Sequence, residues 1–359
     1  MLPALSDFDP ATLGNLFANS GFKSGHARTL LRSYFDLNAS IDPANLSLGK
    51  SLTAHLREKF RIVRSRIIKE HASADGTIKL LIGLDENATV ESVLMPAFRP
   101  DRAAACISSQ VGCAMGCDFC ASTRGGLARN LSSGEIVEQF LHLRAKAQSL
   151  GRRLTSLVFM GMGEPMHNLA NVAAAIARIA DPQMGNLGWR HITVSTVGVV
   201  PGIDQLAEMD IPVYLALSLH APDDATRSSL VPANRRWSVA DVMAAARRYQ
   251  ARTGRILNIE YCLLRDVNDS DEQARLLAQL MRGFNAHVNL IPYNWIGAGL
   301  SGTVYRTPEP ARINRFLQIL RDAGVVTHIR VARGDDVNAA CGQLRELAVA
   351  ARDIAPCLT

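Results

Sequence analysis

The chain is short of the features that mark several protein classes. Aromatic residues make up only 6%, so a sheet paved with rings for stacking single-stranded RNA is not indicated. No uninterrupted apolar stretch is long enough to span a bilayer. The opening Met1-Leu-Pro-Ala-Leu-Ser-Asp-Phe-Asp9 has neither a positive region nor an apolar core, so it does not read as a secretory signal. No short internal repeat, low-complexity tract or long linker is present, which excludes solenoid architectures. Without a secretory context, the seven cysteines are expected to be chemical or core residues in a reducing compartment rather than a disulfide frame. The expected location is the cytoplasm.

What remains is an ordinary globular composition. The 359 residues are 48% hydrophobic, with a mean hydropathy of +0.05. That length suits one large domain with additions, or two domains. The net charge of +6 favours a polyanionic partner such as RNA, because basic surface releases counterions from phosphates. The arginine pairs Arg152-Arg153, Arg235-Arg236 and Arg247-Arg248 each read, singly, as solvated faces.

Patterning divides the chain into four parts. Residues 1–72 read as a helical accessory unit, with Leu13, Leu16, Phe17 and then Ala27, Leu30, Leu31, Tyr34 at helical spacing. Its basic residues Lys23, His26, Arg28 and Arg32 suit RNA phosphates or a simple cap on the main domain equally well. Residues 73–100 read as a β-hairpin extension, Thr77–Leu84 and Thr89–Met95 around the turn Asp85-Glu86-Asn87. Over 101–332, strand patterns at Ala104–Ser108, Ser156–Gly161, His191–Ser195, Val213–Leu219, Leu257–Leu263, Val288–Ile291 and Val326–Val331 alternate with helical ones. The helical patterns are Glu135–Ser149, Leu169–Ile179, Val239–Arg252, Glu272–Arg282 and Pro310–Ala323. Such alternation predicts an α/β fold, an open or partial (β/α) barrel whose chemistry sits at the carboxyl ends of the strands. Residues 333–359 form a C-terminal loop and tail.

The most informative segment is Cys113-Ala-Met-Gly-Cys117-Asp-Phe-Cys120. Its C-x3-C-x2-C spacing supplies three thiolates from one short loop, one fewer than a [4Fe–4S] cluster normally takes. The iron left open is a binding position for S-adenosylmethionine (SAM), whose reductive cleavage yields a 5′-deoxyadenosyl radical. Phe119 can shield the cluster and contact the adenine. A zinc site completed by Cys106 or a histidine is the competing reading.

Further groups fall at strand ends. Gly161-Met162-Gly163-Glu164-Pro165 follows one strand. Paired glycines let backbone approach a ligand, and Glu164 can accept from the cofactor's ammonium group. Ser195, then Ser218-Leu219-His220, then Asn294 end later strands. Cys106 lies seven residues before Cys113, and Cys341 sits in Arg333-Gly-Asp-Asp-Val-Asn-Ala-Ala-Cys341-Gly-Gln-Leu, a loop after the last strand that can fold over the barrel mouth. Cys262 and Cys357 read as incidental thiols.

Together these segments, from Glu91 to Leu344, closely resemble the radical-SAM adenine methyltransferases that modify large-subunit ribosomal RNA, some of which also modify tRNA. The resemblance implies that Cys113, Cys117 and Cys120 hold the [4Fe–4S] cluster. It implies that Gly163, Glu164, Ser195, Ser218, Leu219, His220 and Asn294 contact SAM. It further implies that Cys341 is methylated by one SAM and loses hydrogen from that methyl to the radical made from a second. The resulting carbon radical adds to adenine C2 or C8, both electron-poor ring carbons. Glu91, in Val90-Glu-Ser-Val-Leu-Met-Pro96, matches the family's proton acceptor, although a strand glutamate can also be a surface residue. Cys106 then attacks the Cys341 sulfur, leaving a transient disulfide. Leu127 stands where the C2 branch is expected to carry phenylalanine, so the carbon stays open. A flavodoxin-type reductant and a monomer are the family expectations. A radical-SAM enzyme acting on a small molecule and a non-catalytic iron–sulfur or zinc RNA-binding protein are the rivals.

Overall fold

The computed structural model describes residues 2–344; Cys357 and the tail beyond Leu344 lie outside the described residues. The chain opens with three helices, α1 (Pro10–Asn19), α2 (Gly25–Asp36) and α3 (Lys50–Lys59). Asp9 caps α1 by accepting from the amides of Ala11 and Thr12, with Pro10 in the first turn, where a missing N–H costs nothing. Leu13, Phe17, Leu30, Leu31 and Tyr34 are fully buried, as their helical spacing predicts. This unit is anchored to the rest by a buried carboxylate. Glu138 accepts from Ser6 Oγ at 2.6 Å and from the Ser65 amide at 2.7 Å.

The helical part ends at Lys59, and Arg66–Ala72 is a strand, β1, which revises the expectation that 1–72 is helical throughout. Nearly every residue of β1 is exposed, so it carries no alternation of buried and exposed positions to mark it as a strand. It pairs antiparallel with β2 (Ile78–Gly83), which pairs antiparallel with β3 (Thr89–Pro96), which pairs antiparallel with β4 (Arg102–Cys106). The expected hairpin extension is thus part of one sheet with the barrel.

From β4 onward the strands run parallel: β7 (Arg153–Phe159), β8 (Ile192–Thr196), β9 (Tyr214–Ser218), β10 (Leu257–Leu263), β11 (Ala286–Pro292) and β12 (Val326–Ile329). The ten strands follow the order β1-β2-β3-β4-β7-β8-β9-β10-β11-β12, so the sheet is open, as a partial barrel requires. Five of the connecting helices match their predicted places: α4 (Ser133–Ser149), α5 (Leu169–Ala180), α8 (Val239–Thr253), α9 (Asp271–Leu280) and α10 (Pro310–Asp322). Two more, α6 (Val200–Glu208) and α7 (Asp224–Leu230), are not evident in the pattern. Pro201 and Gly202 break the helical signature of α6, and α7 has only seven residues. The remaining two strands, β5 (Gln110–Gly112) and β6 (Leu127–Asn130), form a separate antiparallel ribbon that frames the three-cysteine loop. Among the described residues, no helix is long and apolar enough to cross a membrane.

Candidate active site

The cysteine loop is held at both ends and in the middle. At its base, the Cys113 amide donates to Gly126 O at 2.9 Å. Gly112 has φ +77, and a Cβ there would lie 2.0 Å from Gly126 O, so only glycine lets the two strands of the ribbon meet so closely. In the middle, Asp118 accepts from the Ser301 amide (2.7 Å), Ser301 Oγ (2.6 Å) and Tyr305 Oη (2.6 Å). Thr123 Oγ1 donates to Cys120 O at 2.9 Å. The three sulfur-bearing residues therefore face one cavity of about 150 Å³ from a fixed loop.

Burial drives the chemistry of these thiols. It pushes Cys113 up to about 12, aided by the neighbouring Cys120 and Glu164 and opposed by amides of Met115 and Gly163. Cys117 and Cys120 are raised by the same cause. Thiols raised in this way become thiolates only if positive charge joins them, and backbone N–H groups aimed at Cys113 and Cys120 are what a cluster's sulfurs accept. Among the described residues, no three His, Cys, Asp or Glu side chains converge to hold a single ion. Three cysteines facing one cavity are the donors that a [4Fe–4S] cluster with one open iron takes.

The same cavity is lined by the strand-end residues picked out from the sequence: Gly163 and Glu164 after β7, Ser195 in β8, Ser218 in β9 and His220 after it. The glycines are required by backbone packing. A Cβ on Gly161 would sit 2.7 Å from Ile107 O, and one on Gly163, at φ +101, 2.5 Å from Gln110 Cβ. Glu164 is buried, accepting from the Met166 amide at 3.1 Å and the Val197 amide at 2.9 Å. Burial nonetheless lifts its carboxyl to about 7, with the two amides pulling the other way. Ser195 Oγ and Ser218 Oγ are 3.3 Å apart.

His220 adopts φ +61, a left-handed turn that histidine tolerates better than most residues. Its Nδ1 accepts from the Cys262 amide at 3.0 Å. Burial, with the Arg227 guanidinium nearby, pushes it down to about 3. It is therefore neutral, with its proton on Nε2. Its ring meets Phe119 of the cysteine loop edge-on at 4.7 Å between centroids.

Two predicted cofactor contacts are placed differently. Leu219 is fully buried, and its carbonyl accepts from Arg227 Nε at 2.9 Å; its side chain is core. Asn294 donates from Nδ2 to Cys341 O at 3.1 Å, so in this structure it holds the C-terminal loop. That loop is docked further by the Ala121 amide donating to Gly342 O (2.7 Å) and by Ser122 Oγ donating to Leu344 O (2.8 Å).

The docked loop brings Cys341 to the wall of the cluster cavity. It also brings Cys341 to a second, adjoining cavity of about 90 Å³ that Cys106 lines from the end of β4. Both are free thiols; no disulfide joins them here. Burial and the nearness of Cys341 raise Cys106 to about 12. Cys262 is not a remote core thiol either, since it lines the cluster cavity.

Glu91 is not a surface glutamate. It is 1% exposed, with Oε1 2.9 Å from Lys79 Nζ. Val93 pairs with Cys106 across β3 and β4. Glu91, two residues from Val93, shares a sheet face with Cys106 and lies one step above it.

Several residues that shape this site were not apparent from the sequence. Gln110 Oε1 accepts from the Glu164 amide at 2.8 Å. Buried Arg227 donates to the carbonyls of Leu219 and Val197, tying two strand ends together. Glu260 lines the cavity and accepts from Asn289 Nδ2 at 2.9 Å. None belongs to a short motif. The one available signal was a charged residue inside an apolar strand, as in Leu257-Asn-Ile-Glu260-Tyr-Cys-Leu263.

The Radical SAM superfamily pattern matches residues 107–278. The chain is 50% identical to the probable dual-specificity RNA methyltransferase RlmN 1 of Opitutus terrae, covering 96% of this chain and 97% of that one. It belongs to the RlmN family. A second RlmN relative, from Symbiobacterium thermophilum, is 42% identical over 94% of this chain and 89% of its own. The crystal structure of a radical SAM methyltransferase from Sphaerobacter thermophilus superposes with a TM-score of 0.91 at 44% identity, covering 96% of this chain and 99% of that one. RlmN membership in the radical SAM superfamily carries a [4Fe–4S] cluster and SAM as cofactors.

Proposed function

We propose that this protein methylates an adenine ring carbon, C2 or C8, in RNA, with large-subunit rRNA as the principal substrate class and tRNA as a second. The observation that carries this reading is the placement of Cys341 on the walls of both the cluster cavity and the Cys106 cavity. A small-molecule radical-SAM enzyme needs no second pair of thiols straddling its cofactor pocket.

Cys113, Cys117 and Cys120 hold the cluster, while Gly163, Glu164, Ser195, Ser218 and His220 line the space for SAM. When bound, these groups supply a methyl group and radical hydrogen abstraction. Cys341 receives the methyl on sulfur and loses one hydrogen from it. The methyl carbon, left as a radical, bonds to the adenine carbon, and the adduct gives up one electron, which the oxidised cluster would take back. Glu91, buried against Lys79, accepts the ring proton. Cys106, as its thiolate, attacks the Cys341 sulfur; the electron pair of the carbon–sulfur bond stays with the product carbon, which takes up a proton to become the methyl group, and a transient Cys106–Cys341 disulfide remains, to be reduced by external thiol. The target base enters unpaired, because a cavity at strand ends cannot reach a base inside a helix. A flavodoxin-type protein supplies the electron, and one chain carries every group named.

The test is mass spectrometry of anaerobically reconstituted protein incubated with SAM, large-subunit RNA and dithionite. Methylated Cys341 with 2-methyladenosine or 8-methyladenosine in the digested RNA is the expected result, and the nucleoside fixes the carbon. SAM cleavage with unmodified Cys341 and unmodified RNA would instead favour the small-molecule enzyme.

A further inference from the structure

Next to the catalytic cavities lies a larger one, of about 480 Å³, to which no step of the reaction assigns a role. It shares walls with the site. Ala121 faces it from the loop whose Cys120 and Ser122 face the cluster cavity, and Gln343 faces it from the loop whose Cys341 and Gly342 face the cluster cavity. Lys79, the ion-pair partner of Glu91, stands in its wall. The cavity is therefore adjacent both to the sulfur that delivers carbon and to the carboxylate placed to take the proton.

Its distinctive member is Trp295. The indole is 67% exposed, although Trp is a residue that folding normally covers. The loop beneath it is fixed, because Arg124 Nη2 donates to the carbonyls of Ile296 and Ala298. The Trp295 carbonyl also accepts from Gln343 Nε2 at 3.2 Å, which couples its position to the Cys341 loop. Arg124 and Trp295 atoms come within 4.0 Å of the same point beside Gly297, so the ring and a guanidinium stand together at one edge. An exposed indole on a held loop, beside fixed positive charge, is suited to a nucleotide, which has a π-face to stack and a phosphate to neutralise.

We infer that this cavity is a subsite for a nucleotide flanking the target adenine, whose base stacks on Trp295 and so holds the RNA strand while the target base is out of its stack. The inference rests on the RNA-methyltransferase reading above. It adds a residue that recognises the substrate without touching the reacting atoms.

Two measurements test it, using the full-length reconstituted enzyme and a short large-subunit RNA stem-loop that contains the target adenosine. First, with Trp189 and Trp237 replaced by Phe, Trp295 is the remaining tryptophan, and its fluorescence should be quenched when the RNA binds. Second, Trp295→Ala should raise the KM for RNA about ten-fold, the scale of one lost base stack, with KM restored by Trp295→Phe and SAM cleavage without RNA unchanged. An abasic neighbour on one side of the target should impose a similar cost on the wild type and almost none on Trp295→Ala, because both changes remove the same contact. RNA binding without quenching, or an abasic cost that persists in full in Trp295→Ala, would overturn the subsite. Quenching by an RNA that the wild type never methylates would leave the subsite standing and remove the reading it rests on.

Discussion

The parallel strands β4 and β7–β12 and the antiparallel extension β1–β3 belong to one sheet but contribute different things to the site. The parallel part presents glycines, serines and a histidine at its strand ends, all facing the cluster cavity. The extension contributes Lys79 and Glu91 above Cys106, and the C-terminal loop is pinned against it. The Ala74 amide donates to Asp336 Oδ2 at 3.1 Å, and the Gly334 amide to Asp75 Oδ2 at 3.2 Å. On the function proposed above, the barrel builds the cofactor pocket, while the extension and loop together build the side that meets the substrate. The division teaches that one sheet can serve two sets of groups, because its parallel strand ends line one cavity while its antiparallel strands carry other residues beside it.

The sharpest way to break this division is Cys117→Ala, on the barrel side. Bound iron, 5′-deoxyadenosine production and RNA methylation should all fall to background, as read by iron analysis and product assay. Cys341→Ala, in the C-terminal loop, should abolish RNA methylation alone, with SAM cleavage retained. Loss of cleavage as well would mean that the loop builds the cofactor pocket too.

A smaller effect is expected from Glu91→Gln. Removing a positioned proton acceptor typically costs about 10²–10⁴-fold, so methylation should slow by that order while methyl-Cys341 still accumulates. Asn294→Ala separates the two sides more finely. A hydrogen bond to the Cys341 carbonyl contributes about 1 kcal/mol, and its loss should slow methylation a few-fold. If SAM affinity falls instead, Asn294 belongs to the cofactor side.

The mildest change concerns pH. With its carboxyl near 7, Glu164 is largely protonated below that value and charged above it. Attraction for the SAM ammonium should therefore strengthen as pH rises from 6 to 8, and Glu164→Gln should flatten that rise in a calorimetric titration. A wild-type profile that is already flat would show that the backbone glycines, rather than this carboxylate, set SAM affinity.

Much of this architecture follows from local sequence because it depends on local spacing. Three thiols in eight residues can only come from one loop, alternating strand and helix patterns force a parallel sheet, and Gly161 and Gly163 mark a turn that tolerates no side chain. Strand β1 was hidden because its exposed residues have no periodic burial to display, and α6 because Pro201 and Gly202 interrupt its pattern.

Other features depend on residues far apart in the chain. Whether Glu91 is buried depends on Lys79 in the neighbouring strand, and the role of Asn294 depends on a carbonyl 47 residues away. Gln110 and Arg227 matter only because folding lays them across the backbone of other strands. The cavity under Trp295 exists only where the extension, the cysteine loop and the C-terminal loop meet. Sequence by itself determined which chemistry the chain can perform, since reactive groups of the right type and spacing are local properties. Tertiary structure alone decided which of those groups face one another, because burial and pairing arise from contacts between segments that the linear order keeps apart.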